Sequence, residues 1–309
     1  MNPVSVRVPA KVNLQLGVGP LRDDGYHDLV NVFHAVSLFD EVTAEPADEL
    51  RITVEAAPGS RVAIGGVPTG DGNLAARAAR LVAERLGAAP RVALRIRKAI
   101  PVAGGMAGGS ADAAAALLAC ARLWDDPAAP ALAPADLLNL GARLGSDVPF
   151  ALLGGTAVGT GRGERLTAAT VHGTFHWVFA TADGGLSTPA VYAECDRIRA
   201  ARGGGVPEPR ESGALMAALA AGDAEALSAA LTNDLQPAAL ALRPSLRGVL
   251  DAGRDLGALG ALVSGSGPTC AFLAADAAGA AGLADALDRA GVAAQTLTAH
   301  GPVPGATVI

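Results

Sequence analysis

Apolar and polar residues alternate from the start of the chain. Val4, Val6 and Val8 stand against Ser5 and Arg7, then Val12, Leu14, Leu16 and Val18 against Lys11, Asn13, Gln15 and Gly17. Period two predicts a strand with one apolar face, and Pro9, which has no N–H for a ladder, marks a bend or a change of partner. The polar cluster at 21–27, LRDDGYH, predicts a turn, and the apolar run over 29–38 a second strand. Val92, Leu94 and Ile96 alternate with Arg91, Arg95 and Arg97 as another half-buried strand. It runs into the glycine-rich 101–112 segment, PVAGGMAGGSAD, and then into ADAAAALLACARLW, the best helix-forming stretch of the chain, with Ser110 suited to cap it.

Further along, 134–144 predicts a helix stopped by Gly145, and SDVPF opens a new turn or helix. Residues 156–158 and 175–180 read as strands separated by the GTGRG turn at 159–163, and 201–213 as a polar loop between helical Ala/Leu runs. ALV, SGSGP and TCAFLA near the end predict two strands joined by a glycine turn at 264–268.

At 309 residues the chain is about twice a typical domain, so two domains are expected, divided near residue 170 into 1–170 and 171–309. Half of the residues are hydrophobic and 17% charged, which excludes disorder, and the scarcity of aromatics, 3%, predicts a core of alanine helices and aliphatic strands. With a net charge of −6 and no Lys/Arg block, a nucleic-acid footprint is not expected, and any anionic ligand must be held locally. Cys120, Cys195 and Cys270 are odd in number and widely spaced, which fits neither a disulfide framework nor a zinc site and suits a reducing cytoplasm. There is no basic-then-apolar leader and no apolar run long enough to span a membrane.

The glycine segment has two readings. It is either a tight turn packing strand on helix or a surface whose backbone N–H groups hold an anion at a helix N-terminus. A Walker A loop does not fit, because Ser110 stands where the lysine belongs, and a Rossmann fingerprint fits only partly through Ala103, Gly105 and Gly108. Lys11 on an edge strand reads by itself as a solvated side chain, Asp147 as a helix cap before Val148-Pro149, and 264–267 as a plain hairpin turn. His172 and His176 have metal-ligand spacing for a helix but fall in a strand-like stretch, so no metal site is expected there.

Together these parts resemble the GHMP small-molecule kinases. PAKVNLQLGV, RDDGYHDL, PVAGGMAGGSADAA, GSDVPF and SGSGPT occur in the family's order over residues 9–269, and the DGYH element is similar to the branch acting on 4-diphosphocytidyl-2-C-methyl-D-erythritol. The resemblance implies an α+β fold of two domains, an N-terminal ribosomal-protein-S5-like domain and a C-terminal ferredoxin-like α/β sandwich, with the active site in the cleft between them. It implies Lys11 and Asp147 as catalytic residues. The ATP loop would comprise Pro101, Val102, Ala103, Gly104, Gly105, Met106, Ala107, Gly108, Gly109, Ser110 and Ala111. Asn13, Tyr26, His27 and Tyr192 would bind the substrate, with third-motif contacts from Ser264, Gly265, Ser266 and Gly267. ATP and Mg2+ are the implied cofactors. The implied partner is the small-molecule substrate, with no nucleic acid and no membrane, on a monomer or weak homodimer. The loop departs from the superfamily's Gly-Leu and paired serines at Gly105-Met106 and Ser110-Ala111. Neither change removes an N–H, although a second hydroxyl is missing.

Overall fold

The computed structural model describes residues 2–125 and 132–309. The alternating valines form β1 (Val4–Leu21), which turns back at 22–26 into β2 (His27–Pro46). β3 (Arg51–Ala56) and α1 (Leu74–Leu86) follow, the helix capped by the Asn73 side chain accepting from the Ala75 amide. β4 (Val92–Lys98) enters the glycine loop and α2 (Gly108–Leu123) leaves it. Next come α3 (Pro134–Leu144), α4 (Val148–Leu153), β5 (Thr156–Gly161) and β6 (Arg165–Ala168). The later half contains β7 (Phe175–Thr181), α5 (Thr188–Arg202), α6 (Gly213–Ala221), α7 (Ala224–Ala230), β8 (Thr232–Asn233), α8 (Gln236–Leu242) and α9 (Ser245–Asp255). It closes with β9 (Gly260–Val263), β10 (Cys270–Ala274), α10 (Ala277–Ala290), β11 (Gln295–Gly301) and β12 (Thr307–Val308). None of the helices described is long and apolar enough to cross a membrane.

Two sheets organise these elements. The first runs β12-β1-β2-β4-β3, with β5 also on β2, β6 on β5 and β8 on β1. β2 is long enough to serve two partners: residues 29–34 pair with β5 and residues 41–46 with β4. The β1–β2 register shifts between Pro9 and Ala10, the break expected at a residue that cannot donate. The second sheet is antiparallel in the order β11-β7-β10-β9. Counted along the chain this is 4-1-3-2, the ferredoxin-like order.

Period two in β7 sends Phe175, Trp177 and Phe179 into the core shared with the first sheet, while Val178 and Ala180 face a second cluster under α5, α8, α9 and α10. Each large side chain so buried stabilises the fold by roughly 1.5–3 kcal/mol, and here it welds the two sheets. In α2, Ala111, Ala113, Ala114, Ala115, Ala116 and Ala119 are all buried. With no bulk to hold it away, this helix lies close over β1 and β2 and brings the loop at its N-terminus onto them. Helix α5 extends to Arg202, so the polar loop expected from residue 201 begins at 203.

Candidate active site

Backbone conformation, more than side chains, shapes the glycine loop. Ala103 and Ala107 adopt left-handed backbone angles, φ 53° and 60°, at a cost of roughly 1–2 kcal/mol for a residue with a Cβ. The turn through Ala107 starts α2 at Gly108, so Ser110 sits inside the first turn, and the expectation that it caps the helix is corrected. The amides of Gly108, Gly109 and Ser110 lie in that first turn, where a helix has no acceptors of its own to offer.

Two glycines let three segments meet. A Cβ on Gly105 (φ 76°) would fall 2.1 Å from the Ser264 carbonyl oxygen, and one on Gly265 (φ 55°) would stand 3.1 Å from both Lys11 Nζ and Asn13 Oδ1. Ser264 Oγ donates to the Gly105 carbonyl at 3.1 Å, and Lys11 Nζ donates to the same oxygen at 2.8 Å. Asn233, on β8, braces the turn from behind by donating to the carbonyls of Val263 (2.8 Å) and Gly265 (2.7 Å).

β1 is an inner strand, flanked by β2 on one side and by β8 and β12 on the other, so its polar face is not solvated. Lys11, Asn13 and Gln15 are buried. That overturns the reading of Lys11 as a surface side chain. Lys11 Nζ donates to Asn13 Oδ1 (2.6 Å), and Asn13 Nδ2 donates to Asn31 Oδ1 (2.8 Å). Burial pushes the Lys11 pKa down while the negative charge of Asp147 opposes that shift. Gln15 points its amide elsewhere, donating to the Arg210 carbonyl (2.7 Å) and accepting from the Ser212 amide (3.0 Å), which ties down the loop before α6.

Asp147 occupies the position before α4, but its side chain makes no capping hydrogen bond, and among the described residues it forms no ion pair. The carboxylate is left for the cavity. It also acts on Tyr192, whose pKa is raised first by burial and then by Asp147.

A cavity of about 770 Å³ connects these groups. Lys11, Asn13, the loop from Ala103 to Gly105 and from Ala107 to Ser110, and Asp147 line it, with Gly265, Ser266 and Gly267 opposite. Tyr26, His27 and Tyr192 line it too. The His27 and Tyr192 rings lie 5.2 Å apart at 31°, whereas Tyr26 is 52% exposed with the Arg162 guanidinium 5.2 Å from its ring centre. Pro101, Val102, Met106, Ala111 and Ser264 do not line the cavity. Met106 and Ala111 point into the core and anchor the loop.

Under the loop lies a group of which only Asp112, the last residue of the glycine-rich 101–112 segment, falls in a motif. Lys98 bridges Asp40 and Asp112, donating to Asp112 Oδ2 at 2.7 Å, and all three side chains are buried. Asp40 Oδ1 also accepts from the amides of Ala99 (2.6 Å) and Ile100 (2.9 Å). Burial lowers the Lys98 pKa, but the two carboxylates outweigh it and the net shift is upward. Asp112 is also shifted upward, by burial and by Asp40, against the pull of Lys98. The α2 N-terminus beside Asp112 helps to balance the second negative charge. A signal was present: Lys98 continues the buried series Val92, Leu94, Ile96, and Asp40 the series Val42, Ala44, so both had to fall inside.

The chain as a whole is similar to known proteins. The GHMP kinases N terminal domain matches residues 73–155, and the GHMP kinases C terminal domain matches residues 215–293. A 4-diphosphocytidyl-2-C-methyl-D-erythritol kinase from Thermobifida fusca is 61% identical, with 99% of this chain and 98% of that protein covered. The same kinase from Streptomyces avermitilis is 61% identical over 99% of both chains. A crystal structure of 4-(cytidine 5'-diphospho)-2C-methyl-D-erythritol kinase superposes with a TM-score of 0.76 at 34% identity, covering 96% of this chain and 98% of that one.

Proposed function

This chain belongs to the GHMP kinases and, within them, to the 4-diphosphocytidyl-2-C-methyl-D-erythritol kinases, and on that premise we propose the reaction of its cavity. The γ-phosphate of ATP passes to the 2-hydroxyl of 4-diphosphocytidyl-2-C-methyl-D-erythritol, giving the 2-phosphate and ADP, a step of non-mevalonate isoprenoid precursor synthesis. The observation that carries the roles of individual residues is one continuous cavity. It holds Lys11 and Asp147 without a contact ion pair between them, the first-turn amides of α2, and the Tyr26, His27 and Tyr192 rings.

Lys11 and Asp147 line the same cavity without an ion pair between them, and on this reading the phosphoryl group and the attacking oxygen sit there. A tertiary alcohol does not ionise near neutral pH, so Asp147 accepts its proton as the P–O bond forms. Lys11, fixed by Asn13 and the Gly105 carbonyl, offsets charge on the phosphoryl oxygens. Because phosphoryl transfer is loose, the pair acts as much by orientation as by proton transfer. The amides of Gly108, Gly109 and Ser110 face the polyphosphate, and Ala103 to Gly105 close over it. Tyr26 and Tyr192 stack on the cytosine, His27 reads its edge, and Asn13 contacts the acceptor beside Lys11.

Among the described residues no three His, Cys, Asp or Glu side chains cluster as a metal cage. The cleft suits Mg2+ carried on the nucleotide, with the Ser110 hydroxyl and Asp147 carboxylate among the hard oxygen donors that line it beside the glycine loop, and the ion would neutralise phosphate charge there. The three cysteines are free and buried, which supports a reducing compartment. The test is a coupled ADP-release assay with the cytidylylated substrate beside homoserine and mevalonate. Turnover on the first alone is the expected result, and turnover on either of the others in its place would reject the assignment.

A further inference from the structure

Asp196 stands one turn beyond Tyr192 on α5, on the same helix face, and its Oδ1 lies 3.0 Å from Nε2 of His27. A carboxylate facing Nε2 accepts from it, so Nε2 carries a proton, and in the neutral form of the ring Nδ1 is then a lone-pair acceptor. Among the described residues Nδ1 has no hydrogen-bond partner, and it is not one of the fully enclosed polar atoms. The ring itself lines the cavity beside Tyr192, as does Asp196.

We propose that Asp196 is a positioning residue that sets base specificity, by holding His27 in the tautomer whose free Nδ1 accepts a hydrogen bond from an amino group on the base. The inference rests on the cytidylyl reading of the site given above. Cytosine presents an exocyclic amine where uracil presents a carbonyl oxygen. With Nε2 locked as the donor toward Asp196, a uracil oxygen would meet a second acceptor, and both would be left unpaired away from water. Sites built to pair with one polar group discriminate against its absence far more strongly than apolar pockets do. Without Asp196 the ring is free to carry its proton on Nδ1, which would accommodate the oxygen.

The test compares kcat/KM for the cytidylylated substrate and its uridylylated analogue. In Asp196→Ala the ratio falls by roughly ten- to a hundredfold, mainly through KM, and Asp196→Glu restores much of it. Ring 15N spectra of the wild-type chain at pH 8, with His27 assigned from a His27→Gln sample, show Nε2 protonated and Nδ1 bare. A protonated Nδ1 in the wild type, or an unchanged ratio in Asp196→Ala, overturns the proposal. If Asp196→Ala does not fold, Asp196→Ser, whose hydroxyl is too short to reach Nε2, is read for the same ratio. A wild type that phosphorylates neither substrate overturns the assigned reaction, whereas a wild type active on the cytidylyl substrate with a ratio indifferent to Asp196 overturns only the role of Asp196.

Discussion

Replacing Lys98 by Met keeps most of the side-chain volume and removes the one cation between two buried carboxylates. The side chains of Asp40 and Asp112 are 0% and 4% exposed, so water cannot take over the role of the ammonium. Removing one partner of a buried ion pair typically costs about 3–5 kcal/mol, because the remaining charge is left uncompensated. Asp40 retains its two backbone donors, so Asp112, already shifted upward by burial and by Asp40, is the group that takes up a proton. Its folded pKa lies above the unfolded one, so its contribution is most favourable below the unfolded pKa and is lost as pH rises through the folded value. Loss of Lys98 moves that folded value higher still. Above the wild-type Asp112 value of about 7 the deficit of the variant should therefore grow by up to about 1.4 kcal/mol per pH unit. Urea unfolding of both chains at pH 6, 7 and 8 measures it. A loss below about 1 kcal/mol at pH 8, or a loss independent of pH, would refute the account of the triad as a compensated buried charge.

Other outcomes follow from the cavity and the core. Asp147→Asn should lower single-turnover phosphoryl transfer by roughly 10²–10⁴ while nucleotide affinity in a calorimetric titration is kept. Tyr26→Ala should weaken the cytidylylated substrate by about 1–3 kcal/mol, the usual range for base stacking, with ATP affinity unchanged. Gly105→Ala places a methyl against the Ser264 carbonyl in a left-handed conformation, so ATP binding should weaken more than the thermal midpoint falls. His34, buried, has its pKa pushed down from 6.5 to about 3. Its neutral form is the folded one, so that stability is present above pH 6.5 and is lost as pH falls, by up to about 4–5 kcal/mol near pH 3. His34→Phe should flatten this acid limb in denaturant titrations from pH 6.5 to 4.

What the sequence disclosed followed physical locality. Period two in Val4–Val18 and Val92–Ile96, the alanine run after residue 110 and the SGSGP turn each specify their own conformation, and each appears where expected. The sites of Lys11 and Asp147 became readable only in combination, because a buried lysine and a surface lysine use the same letter until the neighbouring strands are known. Asn233, Asp196 and Arg162 stayed hidden for a related reason: each acts across 30 or more residues of chain, on a turn, an imidazole or a ring whose position no local pattern encodes. Ser110 shows the opposite error. Its cap propensity is real, but the left-handed turn at Ala107 starts the helix before that propensity can act.

β1 carries Lys11 and Asn13 where it passes the glycine loop, Leu16 further along the cavity wall, and Leu21 at its far end, paired with His27 across the hairpin. On the proposed assignment one continuous ribbon thus bears both the group that meets the phosphate and the corner that grips the base. The sheet is therefore a length gauge as well as a scaffold. An acceptor is tested by whether its hydroxyl reaches Lys11 when its base is seated at His27, so analogues with a lengthened or shortened linker should bind at one end and stay unreacted at the other.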